Sequence, residues 1–595
     1  MRYIKLILSL FGFCAFTNIW AQLSTYEKPV SFGREAELRV SRRSANPSVT
    51  MPQLDNAKIA RIEAARKERP ELALFGYVHN VSYNLTNSGT CYNLSNGDKL
   101  WKLNITCPEA KAVYFTYDKF WLPEGGKLFV YSKDKKQTLG AFTSRNNKGD
   151  REHLRGFATG VVNGGDVVLE YYQPKNVETE AVISINCIIR GYTPPGDDYG
   201  FNKSSDCQVN VNCDEGYYWR GEQRAVARIL IKGTKMNHEL DTLAWYCSGS
   251  LITTTTPHGE PFLLTANHCL PIYKSAFLSQ YGDNILDDAL FYWNYETPGC
   301  ERDTIEPPVC STTGAIIVAN YAVYADFALL RLTEDPKELP NYIPYYLGWD
   351  NSDQPGEAGV CIHHPKGDVK KISTVDFTGG IISTTYKDNV STSSTYDGDH
   401  WRVTWAQTIH GHGTTQEGSS GSPLFNANHK VIGQLHGGSS GCGDSIHSPD
   451  WFGELCKSWI GDISGQGTSE TCHRLSCWLD SLGEVAHIRT ETMEGTLYVS
   501  KPCSLTRNEY IYGNIHITET GRLTITSNIE SSGVCPFIVD AGGKLIVDGG
   551  KLSNVNLELK PGATLRILNG GIIETRNGFK APVGAKVEIS HGKIL

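Results

Sequence analysis

From Phe75 to about Tyr192 apolar residues alternate with polar ones or run in short blocks between turns rich in Gly, Pro and Asn, as in Ala112-Val-Tyr-Phe-Thr, Lys127-Leu-Phe-Val-Tyr and Asp166-Val-Val-Leu-Glu-Tyr-Tyr. Such runs predict short strands, and a segment of this size predicts a β-sandwich. Ahead of it, residues 22 to about 70 are polar and charged, and Ile59, Ile62 and Ala65 recur at helical spacing within Asn56–Glu68. The run Thr193-Pro-Pro-Gly-Asp-Asp-Tyr-Gly reads as a linker. From Cys207 to about Leu482 the chain is again strand-rich, with few long helical patterns, which fits an all-β double barrel. After Thr492 the pattern becomes repetitive: Gly521-Arg-Leu-Thr-Ile, Gly543-Lys-Leu-Ile-Val, Gly562-Ala-Thr-Leu-Arg-Ile and Gly584-Ala-Lys-Val-Glu-Ile place Leu523, Leu545, Leu565 and Val587 at a near-constant period. One such unit cannot bury its own apolar face, so the repeat predicts stacked β-coils in a solenoid-like tail; a plain antiparallel sandwich is the alternative. At the start, Arg2 and Lys5 precede the apolar run Leu6 to Phe16, and small Ala21 ends the segment. This is the pattern of a secretory signal over 1–21. Bulky Phe13 before Cys14 argues against lipidation, and no later stretch approaches the roughly 20 apolar residues of a membrane span.

Composition adjusts this picture in two ways. The chain has 595 residues, which at about 100 to 200 per domain implies three to five domains. Its 56 basic residues are outnumbered by 64 acidic ones, and no long basic cluster occurs, so nucleic acid is not an expected partner. The 17 cysteines matter more, because Cys14 falls in the leader and an even set remains for an oxidising compartment. Close pairs such as Cys207 with Cys213 and Cys472 with Cys477 lack the tight spacing of a zinc knuckle. His363-His364 and His410-Gly-His412 read as incidental, so neither a metal nor another cofactor is expected.

Three segments of the central region carry chemistry. Phe262-Leu-Leu-Thr-Ala-Asn-His268 is an apolar strand ending on a histidine, Asp326 interrupts the start of the apolar strand after Tyr324, and Gly418-Ser-Ser420-Gly-Ser-Pro is a glycine-rich turn presenting a hydroxyl. Each pattern alone is common. Together, in the order His, Asp, Ser, they match chymotrypsin-like serine proteases. A serine hydroxyl is a poor nucleophile at neutral pH and requires a neutral imidazole as general base, the role assigned to His268. Asp326 would fix the tautomer of that ring and stabilise the imidazolium. Backbone N–H groups of Gly418 and Ser420 would form the oxyanion hole.

The region from Cys207 to about Asp480 resembles the secreted bacterial lysyl endopeptidases. Beyond the three segments, the likeness rests on Phe291-Tyr-Trp-Asn-Tyr, Leu347-Gly-Trp-Asp, Ile362-His-His-Pro, Lys371-Ile-Ser, Val431-Ile-Gly-Gln-Leu-His-Gly-Gly and Phe452-Gly-Glu-Leu. The resemblance implies a serine endopeptidase made as a zymogen: signal 1–21, propeptide 22–203, protease domain 204–487 and a C-terminal β-repeat domain 492–595. It also implies disulfides pairing Cys207 with Cys442, Cys213 with Cys300 and Cys247 with Cys269. Spacing alone suggests Cys91 with Cys107 and Cys503 with Cys535, leaving Cys187, Cys310, Cys361, Cys456, Cys472 and Cys477 unassigned, with Cys472 and Cys477 a local candidate pair.

Substrate selection is read from the same resemblance. Trypsin takes its acid six residues before the nucleophile, where this chain has Thr414. Lysyl endopeptidases take it from a later loop, and Asp450, before Trp451-Phe452-Gly453, matches that place, with Asp444 as a rival acid. A buried carboxylate there would pair with a Lys side chain, or with Arg. His436 lies near the histidine with which glutamyl endopeptidases read a carboxylate, which keeps glutamyl specificity as the alternative. The family also stacks an aromatic ring on its catalytic histidine, and Tyr386 is the candidate. Trypsin-type activation needs an Asp directly before the nucleophile, but that residue is Ser419, so inhibition is assigned to the preceding domain and self-cleavage to Lys203, freeing Ser204. The expected protein is a monomer, secreted or held at the cell envelope, acting on proteins or peptides, with the tail contacting an envelope or glycan. The non-enzymatic alternative is a silent surface adhesin.

Overall fold

The computed structural model describes residues 21–595 apart from 23, 25–26, 55–56, 58–59, 61–72, 193–198, 234–241, 257–259, 272–284, 303, 309, 322–324, 387–398, 444–445, 461–473, 481–491 and 534. The apolar leader, most of the helix expected over Asn56–Glu68, Asp444 and Cys472 therefore lie outside the described residues.

One hydrogen-bonded sheet runs in the order Arg155–Ala158, Ala112–Trp121, Val182–Gly191, Ala73–Asn84, Leu243–Ile252, Val226–Gly233, Ile285–Tyr292, Cys310–Tyr321, Phe327–Leu332, Phe262–Ala266. The last strand also pairs with Leu243–Ile252, closing six strands into a barrel. Every residue of Leu243–Ile252 and of Phe262–Ala266 is buried, which accounts for their mostly apolar sequences, broken only by small residues and Thr265. The first four strands of the series form one face of the N-terminal sandwich. The other face is a seven-stranded sheet containing Arg39–Arg43, Thr90–Asn93, Lys99–Thr106, Asp166–Gln173, Lys127–Ser132 and Thr138–Phe142. Leu103, Val130 and Leu169 from one face meet Val113, Phe115 and Ile188 from the other in its core.

The sandwich is thus mainly β as expected, but it is continuous with the barrel. Strand Ala73–Asn84 pairs antiparallel with Val182–Gly191 on one side and with Leu243–Ile252 on the other, in the register Tyr246 with Ala73 and Leu243 with Tyr77.

The second half of the central region is a curled sheet: Val209–Asn210, Lys371–Thr374, Gly359–His363, Pro423–Asn426, Val431–Gly438, Asp450–Glu454, His400–Val403, Ile382–Thr384. A bridge between Val375 and Trp405 draws its two sides together. The tail is a β-solenoid whose coils pair in parallel, with Leu523 opposite Leu545, Leu545 opposite Leu565 and Leu565 opposite Val587. Parallel pairing excludes the antiparallel alternative. The solenoid is joined to the central region through Tyr345–Tyr346 and Trp349–Asp350, which pair with Thr496–Leu497 and Thr492–Met493, and through the Arg224–Glu509 ion pair at 2.7 Å.

Disulfides with both cysteines among the described residues join Cys207 with Cys442, Cys213 with Cys300 and Cys247 with Cys269, the pairs implied by the resemblance. Two pairs suggested by spacing do not form. Cys91 lies opposite Trp101, whereas Cys107 follows the end of the same strand, about 20 Å further along at roughly 3.3 Å per residue, beyond any disulfide's reach. Cys503 and Cys535 sit by strands of two different sheets of the coil and are both free. Cys477 is disulfide-bonded. Among the described residues six of the eight free cysteines, Cys107, Cys187, Cys310, Cys361, Cys456 and Cys535, are buried as small apolar side chains, so the cysteine count overstated the number of bridges.

Candidate active site

The apolar strand Phe262–Ala266 runs into a single turn, Asn267–Cys269, and this turn carries His268 to the end of the barrel. The Cys247–Cys269 bridge ties the turn to the neighbouring strand Leu243–Ile252. Ala266 pairs with Phe327, so the residue before Phe327 is delivered directly beside His268. That residue is Asp326, whose backbone adopts φ +49°, in the left-handed region that costs a non-glycine residue energy. The contacts explain the conformation. The Asp326 carbonyl accepts from the Asn267 N–H at 2.8 Å, Oδ1 accepts from the His268 N–H at 2.9 Å, and Oδ2 lies 2.6 Å from His268 Nδ1. A carboxylate on Nδ1 selects the tautomer with the proton on that nitrogen and leaves Nε2 basic. Burial pulls the Asp326 carboxyl upward, but His436, His268 and the hydrogen bonds outweigh it and hold it below the usual carboxylate range.

Ser420 is buried in a turn fixed from several sides. Its carbonyl accepts from the Ser248 N–H at 2.8 Å, Ser248 Oγ donates to the Gly418 carbonyl at 2.9 Å, and the Gly421 N–H donates to the Leu435 carbonyl at 2.9 Å. Cys269 Sγ lies 3.7 Å from the Ser420 carbonyl, which brings the nucleophile candidate's backbone against the His268 turn. Gly418 has φ +87°, and a Cβ there would come within 3.0 Å of the Ala73 Cβ and 3.1 Å of the Gly367 nitrogen, so the position demands glycine twice over. Ser419, where trypsin-type activation needs an acid, is fully buried and hydrogen-bonded through Oγ to His363 Nδ1 at 2.7 Å. Burial pushes His363 down to about 3, so its ring is neutral.

Asp450 is also fully buried, at the start of strand Asp450–Glu454. Its carboxylate accepts from Trp405 Nε1 at 2.7 Å, Thr415 Oγ1 at 2.7 Å, Ser440 Oγ at 2.5 Å and the Ser440 N–H at 3.1 Å. Desolvation nevertheless raises its pKa, against the pull of those bonds. Thr414 accepts from Gln208 and carries no acid.

His436 lies on strand Val431–Gly438 beside the His268–Asp326 pair. Its ring stacks on His268, 5.8 Å between centroids, with Nε2 3.7 Å from Asp326 Oδ2. Tyr386, expected against the catalytic histidine, instead meets His436 edge-on at 5.0 Å and stacks on Trp451 at 4.7 Å. The sequence reading missed Asp399 and His400, which adjoin His436; an Asp-His pair opening a strand was their one visible signal.

The comparisons with known proteins fall on this region. The family model for the lysyl endopeptidase C-terminal domain matches residues 201–453. A lysyl endopeptidase of Pseudomonas aeruginosa is 27% identical over 312 residues, covering 50% of this chain and 60% of the relative, so the chain spans less than two thirds of that relative's length. Among solved structures, the active form of the Rv3671c protease from M. tuberculosis is 14% identical over 44% of this chain and 88% of its own, with a TM-score of 0.25. The HtrA-type protease AlgW with a decapeptide is 16% identical over 41% and 65%, also at 0.25. The family match and the curated relative thus make residues 201–453 similar to lysyl endopeptidases.

Proposed function

We propose that the chain is a secreted serine endopeptidase that cuts on the carboxyl side of Lys, with Arg as the weaker alternative, and is made as a zymogen. The observation that carries this reading is the His268–Asp326 pair docked on the Ser420 turn. Ser420 Oγ attacks the scissile carbonyl while His268 Nε2 takes its proton, and Asp326 stabilises the imidazolium so formed. The oxyanion is received by the N–H groups of Gly418 and Ser420. His268 then protonates the leaving amine, and water repeats the sequence on the acyl-enzyme.

Specificity is assigned to Asp450, the buried acid beside Ser440 and Thr415. The geometry of His436 counts against glutamyl specificity, because Nδ1 meets His400 and Nε2 faces Asp326. The zymogen reading draws on two features. Ala73, at the start of the strand shared by sandwich and barrel, lies against Gly418, so the N-terminal sheet covers the oxyanion turn. Lys203 is exposed, while the next residue is buried with its N–H 3.1 Å and its hydroxyl 2.6 Å from the buried Asp368 carboxylate. Cleavage after Lys203 would free an ammonium at Ser204 already facing a carboxylate, which takes the place of the trypsin-type acid missing at Ser419.

N-terminal sequencing tests processing: wild type should begin at Ser204 and Ser420→Ala should remain uncut. Normal processing of Ser420→Ala would remove self-cleavage from the account.

A further inference from the structure

One edge of strand Leu243–Ile252 is shared between two neighbours. Residues 250–252 pair with Phe262–Ala266 and close the barrel, whereas residues 243–246 are covered on that side by residues 73–77 of the N-terminal sheet. Ala73 stands at the oxyanion turn, where a Cβ on Gly418 would come within 3.0 Å of its own, and the strand leads away from that turn as residue number rises. A chain that leaves the catalytic turn toward its C-terminus occupies the side taken by the leaving half of a substrate. None of the three residues before Ala73, Pro70-Glu71-Leu72, is basic, so the segment offers no Lys to be cut there. The register slips between the pairs Trp245 with Leu74 and Ala244 with Gly76, which makes Phe75 the extra residue of a β-bulge. A bulge re-aims its side chain, and the Phe75 ring meets the Tyr246 ring edge-on, 5.6 Å between centroids. Tyr246 forms a socket with Tyr292 and Tyr295, whose rings face the Arg228 guanidinium at 5.0, 4.6 and 3.7 Å. Arg228 is 5% exposed, donates to the Gly367 carbonyl at 2.9 Å, and has no hydrogen-bond partner for its buried Nε among the described residues, so the ring faces carry its charge and are fixed by it. Gly367 links the socket to the catalytic turn: a Cβ on it would collide with the Tyr246 ring, and its nitrogen lies 3.1 Å from the place of a Gly418 Cβ. A cavity of about 230 Å³ lies beside Phe75, bounded on the barrel side by Arg228, Tyr246, Tyr292 and Tyr295, so there is room for a bulkier ring than Phe.

We infer that, once residues 22–203 are gone, the freed edge at residues 243–246 takes the leaving side of a substrate as an added strand, and that Tyr246, Tyr292 and Tyr295 form a subsite that selects a large aromatic residue there. This deepens the proposed function and rests on it. The chain's own strand Ala73–Asn84 sits on both features, which fixes the chemistry of the occupant as an extended polypeptide carrying an aromatic ring. Main-chain pairing gives affinity without regard to sequence, and the socket gives selection. Tyr246 and Tyr292 pack with Leu230 and Leu290 in one apolar cluster with Phe75, and uncovering that cluster leaves a patch that only a large apolar side chain buries again. Phe75 lies two residues beyond Ala73, so the selected residue stands two beyond the one held at the oxyanion turn.

The test uses processed protein separated from its propeptide and quenched peptides with one Lys, in which the third, fourth and fifth residues after it are in turn Ala, Glu or Phe. Phe at one of these positions should raise kcat/KM about tenfold over Ala, the weight of one aromatic contact, and Tyr246→Leu and Tyr292→Leu should each bring that ratio toward one. Equal values for Phe and Ala at all three positions in wild type, or a preference for Glu, would overturn the inference while leaving Lys cleavage in place. A binding measurement needs neither turnover nor a variant of the protein. A peptide of Ala73–Asn84 should bind the processed protein about tenfold more tightly than the same peptide with Phe75→Ala, and equal affinities would overturn the inference. A protein that cuts no Lys peptide yet separates these two peptides would instead sink the proposed function and keep the subsite.

Discussion

His268 with Asp326 and His400 with Asp399 are two pairs of the same build, each with Nδ1 2.6 Å from a buried carboxylate oxygen. Exposure separates them. The His268 side chain is 14% exposed and the His400 side chain 1%. A general base must reach the reacting atoms, so the first pair qualifies and the second can act only through His436. The comparison teaches that a His–carboxylate contact does not define a catalytic pair; access and the occupant of the second ring nitrogen do.

The largest expected effect would break or support this distinction outright. His268→Ala should lower kcat about 10⁶-fold, as loss of a triad base does elsewhere, whereas His400→Gln should cost about ten- to a hundredfold at the optimum, the range for a residue that orients another. Comparable losses in steady-state kinetics would show that the two pairs are not functionally distinct. A smaller effect separates both pairs from specificity. Asp450→Asn should lower kcat/KM on Lys peptides about 10²- to 10³-fold, the weight of roughly 3 to 4 kcal/mol for a charged pair in a dry site, and leave hydrolysis of an activated ester without a basic side chain nearly intact. The pH behaviour has a definite sign. Because burial raises the Asp450 pKa, its carboxylate becomes protonated, as pH falls, before an ordinary Asp at about 3.9 would. Preference for Lys over a neutral side chain should therefore decline at a higher pH than an ordinary Asp would give, measured as a ratio of kcat/KM values.

The two pairs also differ in how far they could be read from the sequence. His268 and Asp326 stand out because each lies at the end of an apolar strand, and Ser420 because a glycine-rich turn presents its hydroxyl; Phe262–Ala266 pairing with Phe327–Leu332 explains why the first two converge. The solenoid was equally legible, since Leu523, Leu545, Leu565 and Val587 stack in direct register. Asp399 and His400 were not, because their meaning comes from His436, which joins them only through the pairing of His400–Val403 with Asp450–Glu454 and of that strand with Val431–Gly438. The continuity of the sandwich with the barrel escaped for a similar reason. Alternation in Ala73–Asn84 predicts a strand but does not say that its second edge is taken by Leu243–Ile252. Cysteine number misled where thiols such as Cys310 and Cys361 serve as core side chains; burial pushes the Cys310 thiol up to about 12, which keeps it protonated and unreactive.

The central claim, that Ser420 is a nucleophile activated by His268 and Asp326, is tested most directly by a fluorophosphonate probe on the processed protein, with the modified peptide identified by mass spectrometry. The account predicts a phosphonylated Ser420 in wild type and none in Ser420→Ala or His268→Ala. Absence of labelling in correctly processed wild type, or labelling that persists in Ser420→Ala, would contradict it.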